Sequence, residues 1–190
     1  MRVIAGTAGG LRLFVPTTGV RPTMDRVKAA IFSSLGERVI GARVLDLFAG
    51  TGALGIEALS RGARSATFIE SDRQAIATIE RNLAQTGLIG RICKQDVFAF
   101  LDHASRAEIN DLIFADPPYE SHNGGANFTE LLLLNDRLPR CLTTEGIFVL
   151  EKRPSEQLPS TDLWETVRRK TYGATETIFL QRRPIAPGNS

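Results

Sequence analysis

At 190 residues the chain is long enough for one domain with a substantial core and too short for two large ones. Its 43% hydrophobic and 23% charged composition is that of a globular protein, and no apolar stretch approaches the roughly 20 residues that span a bilayer, so a membrane protein is not expected. The net charge of +2 hides a division: residues 1–28 carry Arg2, Arg12, Arg21, Arg26 and Lys28 against Asp25 alone, whereas residues 46–120 hold eleven acids against seven bases. A basic arm on a mildly acidic body suits a polyanion docking beside a site for a cationic small molecule. The N-terminus, with Arg2, Gly6, Gly9 and Gly10 in its first ten residues, lacks the unbroken apolar segment of a signal peptide, and a cytoplasmic location is expected. Cys93 and Cys141 lie 48 positions apart without a CxxC pair, so neither a disulfide framework nor a metal site is expected.

Along the chain, Val3, Ile4, Leu11, Leu13 and Val15 around Gly6, Gly9 and Gly10 predict a hairpin or two short strands. Val27, Ile31 and Leu35 recur at four-residue spacing, predicting a helix capped near Thr23 that runs to about Gly36. From Arg43 onward strands and helices alternate: strand 44–47, helix 53–61, strand 65–69, helix 72–86, strand 92–93, helix 97–104, strand 112–114, helix 128–141 and strand 147–150. Short apolar strands alternating with helices predict crossover units and a mainly parallel α/β sheet covered on both faces. Residues 164–170 and 175–181 then predict an antiparallel hairpin, turning through Tyr172-Gly173, that closes the sheet. The expected organisation is an N-terminal hairpin-and-helix extension over 1–40, one α/β domain over 41–183 and a loose Pro/Gly tail over 184–190.

Two motifs carry chemistry. Asp46-Leu-Phe-Ala-Gly50-Thr-Gly52-Ala-Leu-Gly55 follows the first strand of the series and opens a helix, and Gly50, Gly52 and Gly55 satisfy GxGxxG. A dinucleotide site and an S-adenosylmethionine site both use such a turn, and both expect an acid at the end of the next strand for ribose hydroxyls, here Glu70. Asp46 separates them: its charge would oppose a pyrophosphate and suits the cationic amino end of S-adenosylmethionine. Asp96, followed by Val97 at a helix start, offers an acceptor for the adenine amino group while remaining compatible with an N-cap. The second motif is Asp116-Pro117-Pro118-Tyr119, at the end of the apolar strand Ile113-Phe-Ala115. Asp116 can accept from an amino group, Pro117 leaves rigid carbonyls aimed outward, and Tyr119 offers a stacking face, the needs of an enzyme that holds a splayed-out planar amine. The plain alternative is a strand-ending Pro-Pro turn.

Taken together, Asp46 to Gly55, Glu70, Asp96 and Asp116 to Tyr119 resemble a class I S-adenosylmethionine-dependent methyltransferase of the amino-methylating type. Arg2-Val-Ile-Ala-Gly, Gly9-Gly10, Arg21-Pro-Thr-Met-Asp-Arg-Val-Lys28 and Ala53-Leu-Gly-Ile-Glu-Ala-Leu-Ser-Arg61-Gly narrow the resemblance to the RsmD family, bacterial 16S rRNA guanine-N2 methyltransferases, over the chain to about residue 182. The resemblance implies a Rossmann-like sheet in which Thr23, Asp46, Phe48, Gly50, Gly52, Glu70, Ser71, Asp96 and Val97 hold the cofactor. It implies that Asp116, Pro117, Pro118 and Tyr119 hold the guanine, and that Arg2, Arg12, Arg21, Arg26 and Lys28 meet rRNA phosphates in a small ribosomal subunit. A monomer without metal is expected. Three rivals remain open: an amino methyltransferase of adenine or cytosine in DNA, a methyltransferase of a protein glutamine amide, and a cofactor-binding rRNA assembly factor without catalysis. Against the first, only about eight residues follow the closing hairpin, too few for a target-recognition domain.

Overall fold

The structure is a computed structural model and describes residues 1–15, 23–104, 109–118 and 127–184, with Thr23 and Met24 described by backbone alone. Seven strands form one sheet in the order β3-β2-β1-β4-β5-β7-β6. They are β1 (Arg43–Leu47), β2 (Ser65–Glu70), β3 (Arg91–Lys94), β4 (Asn110–Ala115), β5 (Leu142–Lys152), β6 (Trp164–Tyr172) and β7 (Thr175–Arg182). The first five run parallel, and β7 is antiparallel to both β5 and β6. The predicted closing hairpin is therefore present, with its second strand wedged between the first and the parallel body.

Strand alternation divides the core into two layers. Val44, Phe68, Leu112, Phe114 and Val149 point to the face covered by α1 (Thr23–Leu35), α2 (Ala53–Ser60) and α3 (Arg73–Thr86), through Ile31, Phe32, Ile56 and Ile79. Leu45, Leu47, Ile113, Ala115, Phe148 and Leu150 point to the other, covered by α4 (Val97–His103) and α5 (Phe128–Leu134) through Phe100, Leu101, Leu132 and Leu133. Caps set the helix ends as the sequence predicts: Asp72 accepts from Ala75 N at 2.8 Å to start α3, and Gly87, at φ 66°, ends it.

One expectation fails for a local reason. The helix predicted over 128–141 stops at Leu134, because the Asn135 side chain accepts from Arg137 N and Leu138 N at 2.9 and 3.0 Å and turns the chain into a short 3-10 segment, Leu138–Cys141. Pro139 falls in the first turn of that segment, where its missing N–H costs no helical bond. The predicted N-terminal hairpin is present in short form, as one antiparallel bridge, Arg2↔Arg12, with Val3 N and Gly10 N bonded across to Leu11 O and Val3 O at 2.9 Å.

The arm is not a separate unit, because it bonds its backbone to the helices as well as to itself. Ile4 N and Ala5 N donate to Glu57, Ala8 N to Ser60 Oγ and Phe14 N to Asn82 Oδ1. Val3, Ala8 and Leu13 join the same core layer as α1, α2 and α3, so residues 1–15 belong to the body of the domain.

Candidate functional site

Strands β1 and β4 are neighbours, but the chain leaves β1 toward β2 on one side and reaches β4 on the other. Open α/β sheets bind ligands at such a switch point, beyond the carboxyl ends of the strands. The register pairs Leu47 with Ala115 and Ala115 with Leu150, so the next residues along these strands, Phe48, Asp116 and Glu151, emerge side by side. Both sequence motifs thus converge on one place.

The glycine loop is held from both ends. Gly50 N donates to Glu70 Oε2 at 2.8 Å, while Glu70 Oε1 accepts from Ser71 N and Asp72 N at 2.8 and 2.9 Å. One carboxylate therefore ties the loop after β1 to the end of β2. Gly52 takes φ 75° at the α2 N-cap, a conformation that disfavours a Cβ. Gly55 serves packing: a Cβ there would meet the Phe68 ring at 2.4 Å and Asp46 Oδ2 at 3.1 Å. Its N–H donates to Asp46 Oδ2 at 2.8 Å.

Asp46 is 2% exposed, and burial, reinforced by Asp116 and Glu70, pushes its carboxyl up to about 8 despite the Gly55 bond. Burial likewise raises Asp116 to about 6. Glu151 is pushed well above its ordinary range by burial and by the charges of Asp116 and Asp46. Among the described residues no cation bonds to any of the three, and no group of three His, Cys, Asp or Glu side chains could hold a metal ion. This arrangement favours a cationic ligand, or a ligand rich in N–H donors.

The other predicted residues fall as follows. Asp96 caps α4 through one oxygen, Oδ1, accepting from Phe98 N and Ala99 N at 2.9 and 3.0 Å. Val97 is buried beneath it. Phe48 sits at φ 54°, rare for a bulky residue, and its ring meets those of Phe98 and Phe128 at 6.3 and 5.5 Å. Phe98 and Phe128 stack at 6.2 Å, so the three rings form one aromatic wall from the loop after β1 and the first turns of α4 and α5. Thr23 opens α1. Pro117 is buried, and Pro118, which is exposed, lines a cleft with it, Phe128 and Glu151. Tyr119 and Arg21 lie outside the described residues.

Of the predicted phosphate-binding cations, Arg2, Arg12 and Arg26 are exposed. Lys28 is a correction. It is 3% exposed, its ammonium lies 3.1 Å from Glu57 and donates to Arg2 O, and so it is structural and closed to a phosphate. Burial lowers its pKa, partly offset by Glu57.

Sequence reasoning missed Glu151, Phe98 and Phe128. Glu151 had a signal: an acid directly after the apolar run Ile147-Phe-Val-Leu150, one residue past a strand predicted to lie in the same sheet. Phe98 and Phe128 had none, because only the fold brings them to Phe48.

The sheet order, the glycine turn on an acid-bound loop and the Asp-Pro-Pro corner define a class I methyltransferase fold. The family profile described as "Conserved hypothetical protein 95" matches residues 1–181, and the chain belongs to this family, the RsmD family. It is 40% identical over 189 residues to the putative rRNA methyltransferase YlbH of Bacillus subtilis, covering 96% of this chain and 100% of that one. It is 35% identical over 185 residues to ribosomal RNA small subunit methyltransferase D of Escherichia coli K12, covering 96% and 90%. Among solved structures, the putative methyltransferase yhhF from Escherichia coli superposes with a TM-score of 0.77 at 32% identity, covering 96% of this chain and 97% of that one.

Proposed function

We propose that this chain transfers a methyl group from S-adenosylmethionine to the exocyclic N2 of a guanine in 16S rRNA of the small ribosomal subunit. The observation that carries it is the convergence of Asp116-Pro117 with the Asp46 and Glu70 loop at the switch point. The relatives named for rRNA methylation support the choice of substrate class. Such a substrate would place the protein in the cytoplasm with the ribosomes.

The residues fit the cofactor. Asp46, short of cations, faces its ammonium; Glu70, anchored at three N–H groups, keeps one lone pair, on Oε2, for a ribose hydroxyl; Asp96, capping through Oδ1, keeps Oδ2 for the adenine amino group. When bound, S-adenosylmethionine supplies a methyl group already activated by the neighbouring sulfonium charge. The chain's own task is the amine, a poor nucleophile because its lone pair is delocalised into the ring. The Asp116 carboxylate and the Pro117 carbonyl accept its two N–H bonds, favouring a pyramidal nitrogen with its lone pair aimed for in-line attack. Tyr119 stacks on the extruded base and offsets an extrusion cost of a few kcal/mol.

The test is transfer of a labelled methyl group to small subunits lacking native methylation, with naked 16S rRNA and duplex DNA in parallel and nucleoside analysis of the product. N2-methylguanosine from subunits is expected. Methyladenine or methylcytosine in DNA would move the assignment to a DNA amino methyltransferase, and cofactor binding without transfer would indicate an assembly factor.

A further inference from the structure

We propose that Glu151 selects the base: its carboxylate accepts the ring N1–H that lies beside the amine held by Asp116 and Pro117. The inference rests on the proposed methylation of a guanine amine and names the residue that distinguishes guanine from the other amino bases.

The position follows from the sheet. With Ala115 paired to Leu150, Glu151 is the next-strand neighbour of Asp116, and strand alternation gives Asp46, Asp116 and Glu151 the same parity. Glu151 lines the same cleft as Pro117, Pro118 and Phe128. The other charged groups of that cleft are engaged. Lys152 is paired with Glu176 at 2.7 Å and donates to the carbonyls of Arg153 and Glu156, and the Glu156 carboxylate accepts from Thr129 Oγ1 at 3.0 Å. Among the described residues Glu151 alone of these carries a carboxylate with no hydrogen bond or ion pair. Glu151 is half-buried, so its acceptors face the cleft without a protein partner and are open to a ligand.

Base chemistry identifies the ligand edge. Adenine and cytosine present their amino group beside a ring nitrogen that is an acceptor, whereas guanine presents its 2-amino group beside N1–H, a donor. Without a ligand, burial and the neighbouring acids favour the protonated form of Glu151. The cationic cofactor and the N1–H donor together favour its ionised form, and an ionised carboxylate only accepts. Two adjacent acids, one at the amine and one at the ring nitrogen, therefore match guanine and set a lone pair against a carboxylate for adenine or cytosine. Polar sites of this kind reject an analogue that lacks the donor far more strongly than an apolar pocket rejects a change of size.

The test uses 2-aminopurine, which keeps the 2-amino group but has a bare ring nitrogen at position 1. Once nucleoside mapping has located the methylated guanine, small subunits are reconstituted with guanine or 2-aminopurine at that position, and kcat/KM is measured for the full chain, Glu151→Ala and Glu151→Gln. The unaltered enzyme is expected to prefer guanine by about 10- to 100-fold, the span of one charge-assisted hydrogen bond. Glu151→Ala should lose guanine activity by a similar factor and discriminate within about 3-fold. Glu151→Gln, whose amide can donate as well as accept, should raise activity on 2-aminopurine relative to guanine. S-adenosylmethionine titration of each variant reports folding, and if the alanine variant fails it the glutamine variant decides. Unchanged discrimination in a folded variant overturns the assignment of Glu151. Absence of N2-methylguanosine with the unaltered enzyme overturns instead the reading on which it rests.

Discussion

Glu57 and Asp46 are both buried acids against helix α2, and they are treated in opposite ways. Glu57, fully buried, receives Lys28 at 3.1 Å, Arg61 at 2.7 Å and the N–H groups of Ile4 and Ala5 at 2.7 and 3.1 Å. Asp46 receives one N–H, from Gly55, and otherwise faces the carboxylates of Asp116 and Glu70. The first is a saturated ion cluster that fastens the N-terminal arm; the second is left short of positive charge where a ligand enters. Saturation marks scaffold, and shortage marks site.

The comparison breaks most visibly at Glu57. Glu57→Ala leaves the Lys28 ammonium buried and two backbone N–H groups unmatched, with an expected cost of about 3–5 kcal/mol. At roughly 2–4 °C per kcal/mol for a chain of this size, thermal unfolding should shift down by about 6–20 °C. Adding Lys28→Met should recover part of that loss, because the orphaned charge goes with it. A melting point that stays within about 2 °C would show that the cluster does not hold the arm.

At the other pole, Asp116→Ala should spare the scaffold and remove chemistry. Turnover with unmethylated small subunits is expected to fall by about 10²–10³-fold, while S-adenosylmethionine affinity changes little. If calorimetry instead shows a large loss of cofactor affinity, Asp116 belongs to the cofactor site and the amine must be held elsewhere.

How much of this was legible in the sequence follows from what each feature depends on. The β1 to β4 series, the α3 caps and the Gly50-Thr-Gly52 turn depend on local pattern and backbone geometry, and all are recoverable from residues 44–114 read alone. Glu70 was legible because its spacing from Gly50 is set by one helix and one strand. The fate of Lys28 was not, since a lysine beside the Val27, Ile31, Leu35 repeat looks solvated until Arg2 O and Glu57 arrive from residues 26 and 29 positions away. The end of α5 was hidden for a smaller reason: Asn135 breaks the helix with its side chain, which apolar periodicity does not register. Glu151 required the β4–β5 register, a pairing that no local pattern specifies.

A subtler effect separates the cations outside the cluster from the one inside it. Arg2, Arg12 and Arg26 are exposed and able to neutralise phosphates, so binding of rRNA should weaken with salt. Each arginine-to-alanine change that removes a phosphate contact should lower the slope of log affinity against log salt by about 0.7–0.9. Lys28→Ala should leave that slope unchanged and lower stability instead. An affinity flat with salt in the unaltered protein would remove the arm from RNA binding altogether.

The smallest effect comes from protons at the site, and its sign follows from the raised carboxyl of Asp46. An unfolded aspartate ionises near about 3.9, whereas burial holds Asp46 up to about 8. Between those values the folded chain keeps a proton that the unfolded chain gives up, so the contribution of this group is fully present below about pH 4 and is lost as pH rises toward 8. Asp46→Asn cannot lose a proton, and its stability should fall less over the same interval. The cofactor's ammonium favours the ionised carboxylate, so binding near pH 7 should release protons from Asp46, to a smaller degree from Asp116, and from Glu151 only where its charge is stabilised. Calorimetry in buffers of different ionisation enthalpy reads that release directly, and it should shrink in Asp46→Asn. Binding that is indifferent to buffer would mean that Asp46 does not face a cation, and the contrast between the saturated acid and the unsaturated one would then be a difference of packing alone.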